Sequence, residues 1–171
     1  MDLRSNKINR NLTLANFNAN GINNQIYELQ QFLTKHEVDI ACISETHLKP
    51  KTRMKLRNYT IHRTDRQDRH GGGTAIVVKT HIPHRPARLP CFNTLEATGI
   101  YTQTTNTETL VLAVYYPPQG QIDERDMYAL VSIHDYFIIC RDLNAKHRVW
   151  NSWTNTPGGE LLLEHANKFK Y

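Results

Sequence analysis

No apolar run in this 171-residue sequence is long enough to cross a bilayer, and the opening MDLRSNKINRN has no hydrophobic segment of a secretion signal. Secretion is therefore not expected. The glycosylation-type triplets at Asn11 and Asn58 are read as chance matches, since that modification needs the secretory route. Cysteine is scarce: Cys42, Cys91 and Cys140 form no CxxC pair and no zinc-like spacing with histidine. Cys42 and Cys140 lie in apolar runs and are expected as buried, reduced thiols. His81 and His84 form an HxxH, but Pro83 between them argues against a shared helical face, so they are read as loop residues without a metal role. Gly71–Gly73 precedes a strand-like run and offers no helix N-terminus to a phosphate, so it is read as a turn. Repeats and low-complexity linkers are absent.

What is present suits one folded unit. The length fits a single domain, read as 1–171. Hydrophobic residues at 39% allow a packed core, and 22% charged residues is not a disordered composition. The net charge of +5 is unevenly spread. Lys49, Lys51, Arg53, Lys55, Arg57, Arg63, Arg66 and Arg69 face only Asp65 and Asp68 in one window, which outweighs the net charge of the whole chain. Such a patch suits a polyphosphate partner; a solvated loop is the competing reading.

Periodicity gives a coarse order of elements. LTLANF (12–17) reads as a strand ended by Asn20-Gly21. Ile22, Ile26, Leu29, Phe32 and Leu33 follow at helical spacing, and VDIACIS (38–44) reads as a strand buried on both faces. NYTIHRT, TAIVVK, LEATGIYT and TLVLAVYY are four further strand-like runs. A helix is predicted over 124–132, a buried strand over YFIIC (136–140) and a helix over 159–169. Runs of strands with flanking helices indicate an α/β or α+β sandwich of two sheets.

Two carboxylates stand where buried strands end: Glu45 after VDIACIS and Asp142 after YFIIC. Ligands collect at the carboxyl ends of strands. An ionised carboxylate beside an apolar core costs several kcal/mol, as an order of magnitude, unless paired. A hard divalent cation would supply that pairing; a loop-capping role or an arginine partner is the alternative for either residue taken singly. Polar neighbours favour the first reading. Asn18 and Asn20 end the first strand, Thr46 and His47 follow Glu45, and Asn144 follows Asp142 two positions on, which places both on one side of an extended segment. Tyr115 ends TLVLAVYY and can present its phenol to the same cleft.

Taken in order, FNANGI, ISETHL, RTDRQDRHGGGTAIVVK, VYYPP and RDLNAKHRVWNS resemble the endonuclease domain of LINE-type (non-LTR) retrotransposons, most closely the jockey-like group. The wider family includes apurinic/apyrimidinic endonucleases and DNase I-like enzymes. The resemblance spans residues 12–163. It implies a four-layered α/β sandwich with catalytic loops at one edge of two facing sheets, and a Mg2+- or Mn2+-dependent hydrolase that nicks one DNA strand. It implies Glu45 as the metal ligand, with Asn18 supporting metal and scissile phosphate and Asn20 in the second polar position of that motif. Tyr115 contacts the phosphate in this picture. Asp142 and Asn144 position or deprotonate the attacking water. His147 is read as structural. Trp150 and Trp153 either stack on bases or, the favoured reading, pack their loop against the core. Lys51, Arg53, Lys55 and Arg66 are the candidate DNA contacts. The resemblance further implies a nuclear location, no membrane, no small-molecule cofactor and, in the full element, a reverse-transcriptase domain on the same polypeptide.

The match also has departures. The family's Ser-Asp-His block is not found in the chain, so the domain is expected to be incomplete at its C-terminal side, without the last strands and with an uncovered edge. Loss of one such electrostatic contact typically costs about 10²–10³ in rate, so weak or no activity is expected of this chain. Cys140-Arg141 replaces the family's Gly-Gly, and Arg141 is expected to compete with a cation for Asp142. The segment SIHDY before that strand is short for the family. The alternatives are a non-catalytic nucleic-acid-binding remnant and a phosphoesterase acting on a small phosphate.

Overall fold

The computed structural model of the chain describes residues 11–67, 71–104, 107–118 and 122–169. Asp68 and Arg69 of the basic window lie outside them, as does the side chain of Arg141 with the competition expected of it.

Among the described residues, eight strands form two four-stranded sheets. The first contains β1 (Leu14–Asn18), β2 (Ile40–Ser44), β3 (Tyr59–Thr64) and β4 (Thr74–Lys79) in the order β1-β2-β4-β3. The second contains β5 (His84–Pro86), β6 (Glu96–Thr104), β7 (Thr107–Tyr115) and β8 (Phe137–Asp142) in sequence order. Most neighbours are antiparallel, but β1 runs parallel to β2 and β8 parallel to β7. Helix α1 (Ile26–Lys35) bridges the first parallel pair, and α2 (Glu124–Val131) lies between the strands of the second. Helix α3 (Pro157–Phe169) follows β8.

Strand alternation divides the apolar residues into three cores, and these define four layers. Between the sheets, Ile40, Cys42, Ile76 and Val78 meet Ile100, Val111 and Ala113. On the outer face of the first sheet, Ala41, Ile43 and Val77 pack under Leu29 and Leu33 of α1. On the outer face of the second, Leu110, Leu112 and Val114 pack under Met127, Leu130 and Leu162 of α2 and α3. Strands β2 and β7 are thus buried on both faces, which explains their unbroken apolar sequences.

The predicted elements are present, with three differences. β5 was not expected: it is three residues long and contains Pro86, which an edge strand tolerates and a central one does not. His84 therefore belongs to a sheet and packs edge-on against His62, with ring centroids 5.1 Å apart. β8 continues two residues past the apolar run, so Asp142 is its last residue, and it is not the buried strand expected: it lies at the edge of its sheet among the described residues, with Ile138 exposed and Phe137 and Ile139 half-buried. Cys42 is buried as expected, but Cys140 is only half-buried; both are free thiols, and Cys140 packs against the inter-sheet core that contains Cys42.

The loop before β6 is held by a buried carboxylate. Asp126, in the first turn of α2 and 3% exposed, accepts from the backbone N–H of Asn93 (3.0 Å) and of Thr94 (2.6 Å) and from the Thr94 hydroxyl (2.7 Å). Asp126→Asn turns one acceptor into a donor facing donors. A cost of about 1–3 kcal/mol is expected, read as a lower urea midpoint with an unchanged slope.

Candidate active site

Pairing in the two parallel ladders brings four chain ends to one edge. Asn18 is opposite Ser44, so β1 and β2 finish together and Glu45 is the first residue beyond. Tyr115 is opposite Asp142, so β7 and β8 also finish together. The sheets pack face to face, and the two ends share one site.

Its centre is the Asn18 amide. Nδ2 donates to Oε1 of Glu45 at 2.7 Å and to Oδ2 of Asp142 at 2.6 Å. One amide nitrogen thus joins carboxylates from the two different sheets. Its orientation is set locally, because Oδ1 accepts the backbone N–H of Asn20 at 2.9 Å. In this geometry the Asn18 oxygen faces the backbone and the nitrogen faces the acids. Asn20 contributes its N–H, in a left-handed conformation (φ 42°).

Asn144 meets Asp142 by a different route from strand alternation. Its φ of 47° takes it out of the extended region, and its N–H folds back onto Oδ1 of Asp142 at 3.3 Å, an Asx-type turn. Its Nδ2 donates to the Tyr116 carbonyl at 3.0 Å, tying the turn to the end of β7. Tyr115 is almost fully buried beside Glu45. Burial, with the Glu45 carboxylate adding to it, pushes the phenol up to about 12, so it is a hydrogen-bond donor at neutral pH. The protonated phenol's contribution to stability is whole below its ordinary value near 10 and is lost as pH rises from there through about 12.

The triple glycine forms a wall of this site. The backbone N–H groups of Thr46 and His47 donate to the Gly73 and Gly72 carbonyls at 3.1 and 2.9 Å. Gly73 has φ +82°, and an added Cβ would stand 2.6 Å from the Thr46 hydroxyl. Arg66 passes under Gly72, pairs with Glu96 and lies 6.0 Å from the centre of the Tyr115 ring. Glu96 also accepts the Gly73 N–H at 2.5 Å. Neither Glu96 nor the glycines were singled out for the site from the sequence. The available signal was three glycines before a buried strand, a pattern that permits close backbone approach. His47, noted as a polar neighbour of Glu45, reaches it with Nε2 at 3.4 Å from Oε2.

The basic residues separate into two groups. Lys51, Arg53 and Lys55 are exposed and border a surface depression with Ile61 and Arg63. Arg63 turns inward to the Thr52 carbonyl (2.8 Å) and pairs with Asp65 (3.3 Å), holding that loop in shape. Arg66 belongs instead to the inner group, its side chain 10% exposed. The loop after Asn144 divides its tryptophans. Trp150 is half-buried and donates to the Ala145 carbonyl at 3.0 Å, whereas Trp153 is 95% exposed and does not pack the loop as expected. His147 is buried, accepts the Val149 N–H at 3.1 Å and meets Glu160 at 3.2 Å.

Residues 15–168 match the Endonuclease/Exonuclease/phosphatase family. The chain belongs to that family. Among curated relatives it is 29% identical over 157 residues to the RNA-directed DNA polymerase from mobile element jockey of Drosophila melanogaster. That alignment covers 90% of the chain and 17% of the relative, so the chain spans about a sixth of its length. Among solved structures it resembles the endonuclease domain of TRAS1, a telomere-specific non-LTR retrotransposon, with a TM-score of 0.75 and 18% identity over 92% of this chain and 70% of that one. An AP endonuclease from Leishmania major gives a TM-score of 0.68 at 14% identity, over 91% of this chain and 66% of that one. These likenesses establish a DNase I-like α/β fold for this family member.

The donor set of this Endonuclease/Exonuclease/phosphatase chain fits a hard divalent cation. Glu45 and Asp142 converge on one nitrogen, and among the described residues neither pairs with a lysine or arginine. Oxygen donors and a local excess of negative charge suit magnesium or manganese. Among the described residues, no group of three or more His, Cys, Asp or Glu side chains is placed to hold a metal ion. A magnesium ion typically takes one or two carboxylates and leaves its other positions to water and phosphate.

Proposed function

We propose that the chain is a metal-dependent endonuclease domain that hydrolyses a phosphodiester in one strand of DNA, as in target-site cleavage by a non-LTR retrotransposon. The observation that carries this is the Asn18 amide holding Glu45 of one sheet and Asp142 of the other at a single point. Glu45 would hold the ion, with Asn18 beside it. When bound, the ion would offset the negative charge that builds on the phosphate during attack. The remaining work falls to the chain. Asp142, oriented by Asn18 and by the Asn144 N–H, takes the proton of the attacking water. Tyr115 keeps its proton and donates to a phosphate oxygen, and the exposed Asn144 offers an amide without adding charge. Placement near 3 Å accounts for catalysis of this kind better than any single strong group. In a full element the nick would prime a reverse transcriptase on the same polypeptide, and the location would be nuclear.

Nicking of supercoiled plasmid tests this reading. Relaxed circles should accumulate with magnesium or manganese and not with a chelator, at a rate about 10²–10³-fold below that of a domain with the Ser-Asp-His contact. DNA binding without nicking under either metal would favour a non-catalytic binding module, and release of phosphate from a small ester alone would favour a phosphoesterase.

The exposed cations should act on affinity. Replacing Lys51, Arg53 and Lys55 together with glutamine is expected to weaken DNA binding and to lower the slope of log K against log salt by about 2–3. An unchanged slope would remove them from the interface.

A further inference from the structure

Trp153 is the most exposed large apolar side chain among the described residues. Its loop is nonetheless well tied. The Ser152 N–H donates to the His147 carbonyl at 3.2 Å, the Arg148 N–H to the Asn155 side chain at 3.0 Å, and the Thr156 N–H to the Lys146 carbonyl at 2.8 Å. Asn155 is held in turn by Glu160 at 2.6 Å. A loop fixed at both ends holds its largest apolar group in solvent, while Trp150 three residues earlier is folded in. Packing therefore does not explain Trp153.

The surroundings indicate what would cover it. Residues 143–156 contain no acid, and Lys146, Arg148 and Val149 are exposed with the indole. Cations interleaved with an exposed aromatic suit a nucleic acid, whose bases stack while its phosphates pair. The position is also constrained. Lys146 lies two residues beyond Asn144, and its N–H is bonded at 3.0 Å to Thr156, three residues from Trp153. Extended-chain reach then puts Trp153 within about 25 Å of Asn144, less than the ~34 Å of one duplex turn.

We infer that Trp153 is a stacking platform for an unpaired base of the DNA strand held in the active site. The inference rests on the nuclease reading. Both faces of a base inside a duplex are already stacked, so the indole selects flipped, bulged or single-stranded positions near the cut. Trp153 touches no reacting group, and its effect falls on KM with kcat unchanged.

The test uses the whole chain without metal and two duplex oligonucleotides, one with a single unpaired thymine and one fully paired. Binding is followed by anisotropy and by quenching of indole emission. Trp153→Ala should bind the bulged duplex about tenfold more weakly and lose the quenching, with affinity for the paired duplex within about twofold. Trp153→Phe, which keeps an aromatic face, should bind the bulged duplex within about threefold of the parent. Equal affinities of the parent and Trp153→Ala for the bulged duplex, or equal losses on both duplexes, would overturn the inference and leave the nuclease reading standing. Self-association of the parent that Trp153→Ala abolishes without a change in DNA affinity would identify a protein contact and also overturn it. Failure of the parent to bind either duplex would overturn both readings.

Discussion

Glu45→Ala is expected to lower plasmid nicking by at least about 10²–10³-fold while leaving the thermal midpoint within a few degrees of the parent. The rate loss follows from position. Glu45 is the carboxylate that continues β2 into the site, and its Oε1 shares the Asn18 nitrogen with Asp142. Removing it takes away the oxygen donor proposed for the cation and frees half of the Asn18 amide, so Asp142 loses part of its orientation. The small stability cost follows from the same geometry. Glu45 has a left-handed backbone (φ 51°), and its side chain is partly exposed at 20%, so truncation leaves no core cavity. Glutamate already carries the strain of that backbone angle, so alanine adds little to it. Equal nicking by parent and variant, measured as relaxed circles against time, would remove Glu45 from the chemistry and with it the proposed site.

Gly159→Ala is expected to have the largest effect on stability of any glycine-to-alanine change among the described residues. Gly159 lies in the first turn of α3, where the helix crosses the Lys146 backbone. An added Cβ would overlap the Lys146 carbonyl oxygen and crowd the His147 side chain. Backbone cannot rotate away as a side-chain tip can. The helix must lift from the loop, and the Thr156–Lys146 pair of bonds that closes it must open. Overpacking of this kind costs about 3 kcal/mol. Because Lys146 is two residues from Asn144, the Asx turn on Asp142 should loosen as well. Urea unfolding should show a lower midpoint, and nicking should fall even at denaturant concentrations where the variant is still folded. A midpoint equal to the parent's would show that this crossing has slack.

The architecture was legible from the sequence where chemistry acts over a whole element. VDIACIS and TLVLAVYY are apolar on both faces because they are the middle strands of a four-layered sandwich, and the helices show their inner stripes through Leu29, Leu33 and Leu162. Glu45 and Asp142 stood out because charge at the end of an apolar run needs a reason, although only β2 proved buried and β8 lies at the edge of its sheet among the described residues. Other features depend on single backbone angles or on distant partners. The positive φ of Asn144 replaces pleat alternation with a turn, and asparagine signals that possibility without deciding it. Trp153 and Trp150 have the same residue type and similar neighbours, so only the loop closure through Asn155 and Thr156 separates them. Arg66 read as a candidate DNA contact, and only the fold places Glu96 beside it.

The amide that joins the two carboxylates also makes the site a gauge of interlayer alignment. Asn18 and Glu45 travel with one sheet, Tyr115 and Asp142 with the other, and what holds the sheets in register is the apolar seam of Ile40, Cys42, Ile76, Val78, Ile100, Val111 and Ala113 together with threonine hydrogen bonds that cross it, Thr74 to Thr98 at 2.8 Å and Thr98 to Thr64 at 2.9 Å. A close-packed seam transmits strain to its rim. A relative shift of the sheets there would break the 2.6 Å hydrogen bond from Asn18 to Asp142. Substitutions deep between the sheets, far from any phosphate, therefore act on turnover through misalignment of two rigid halves.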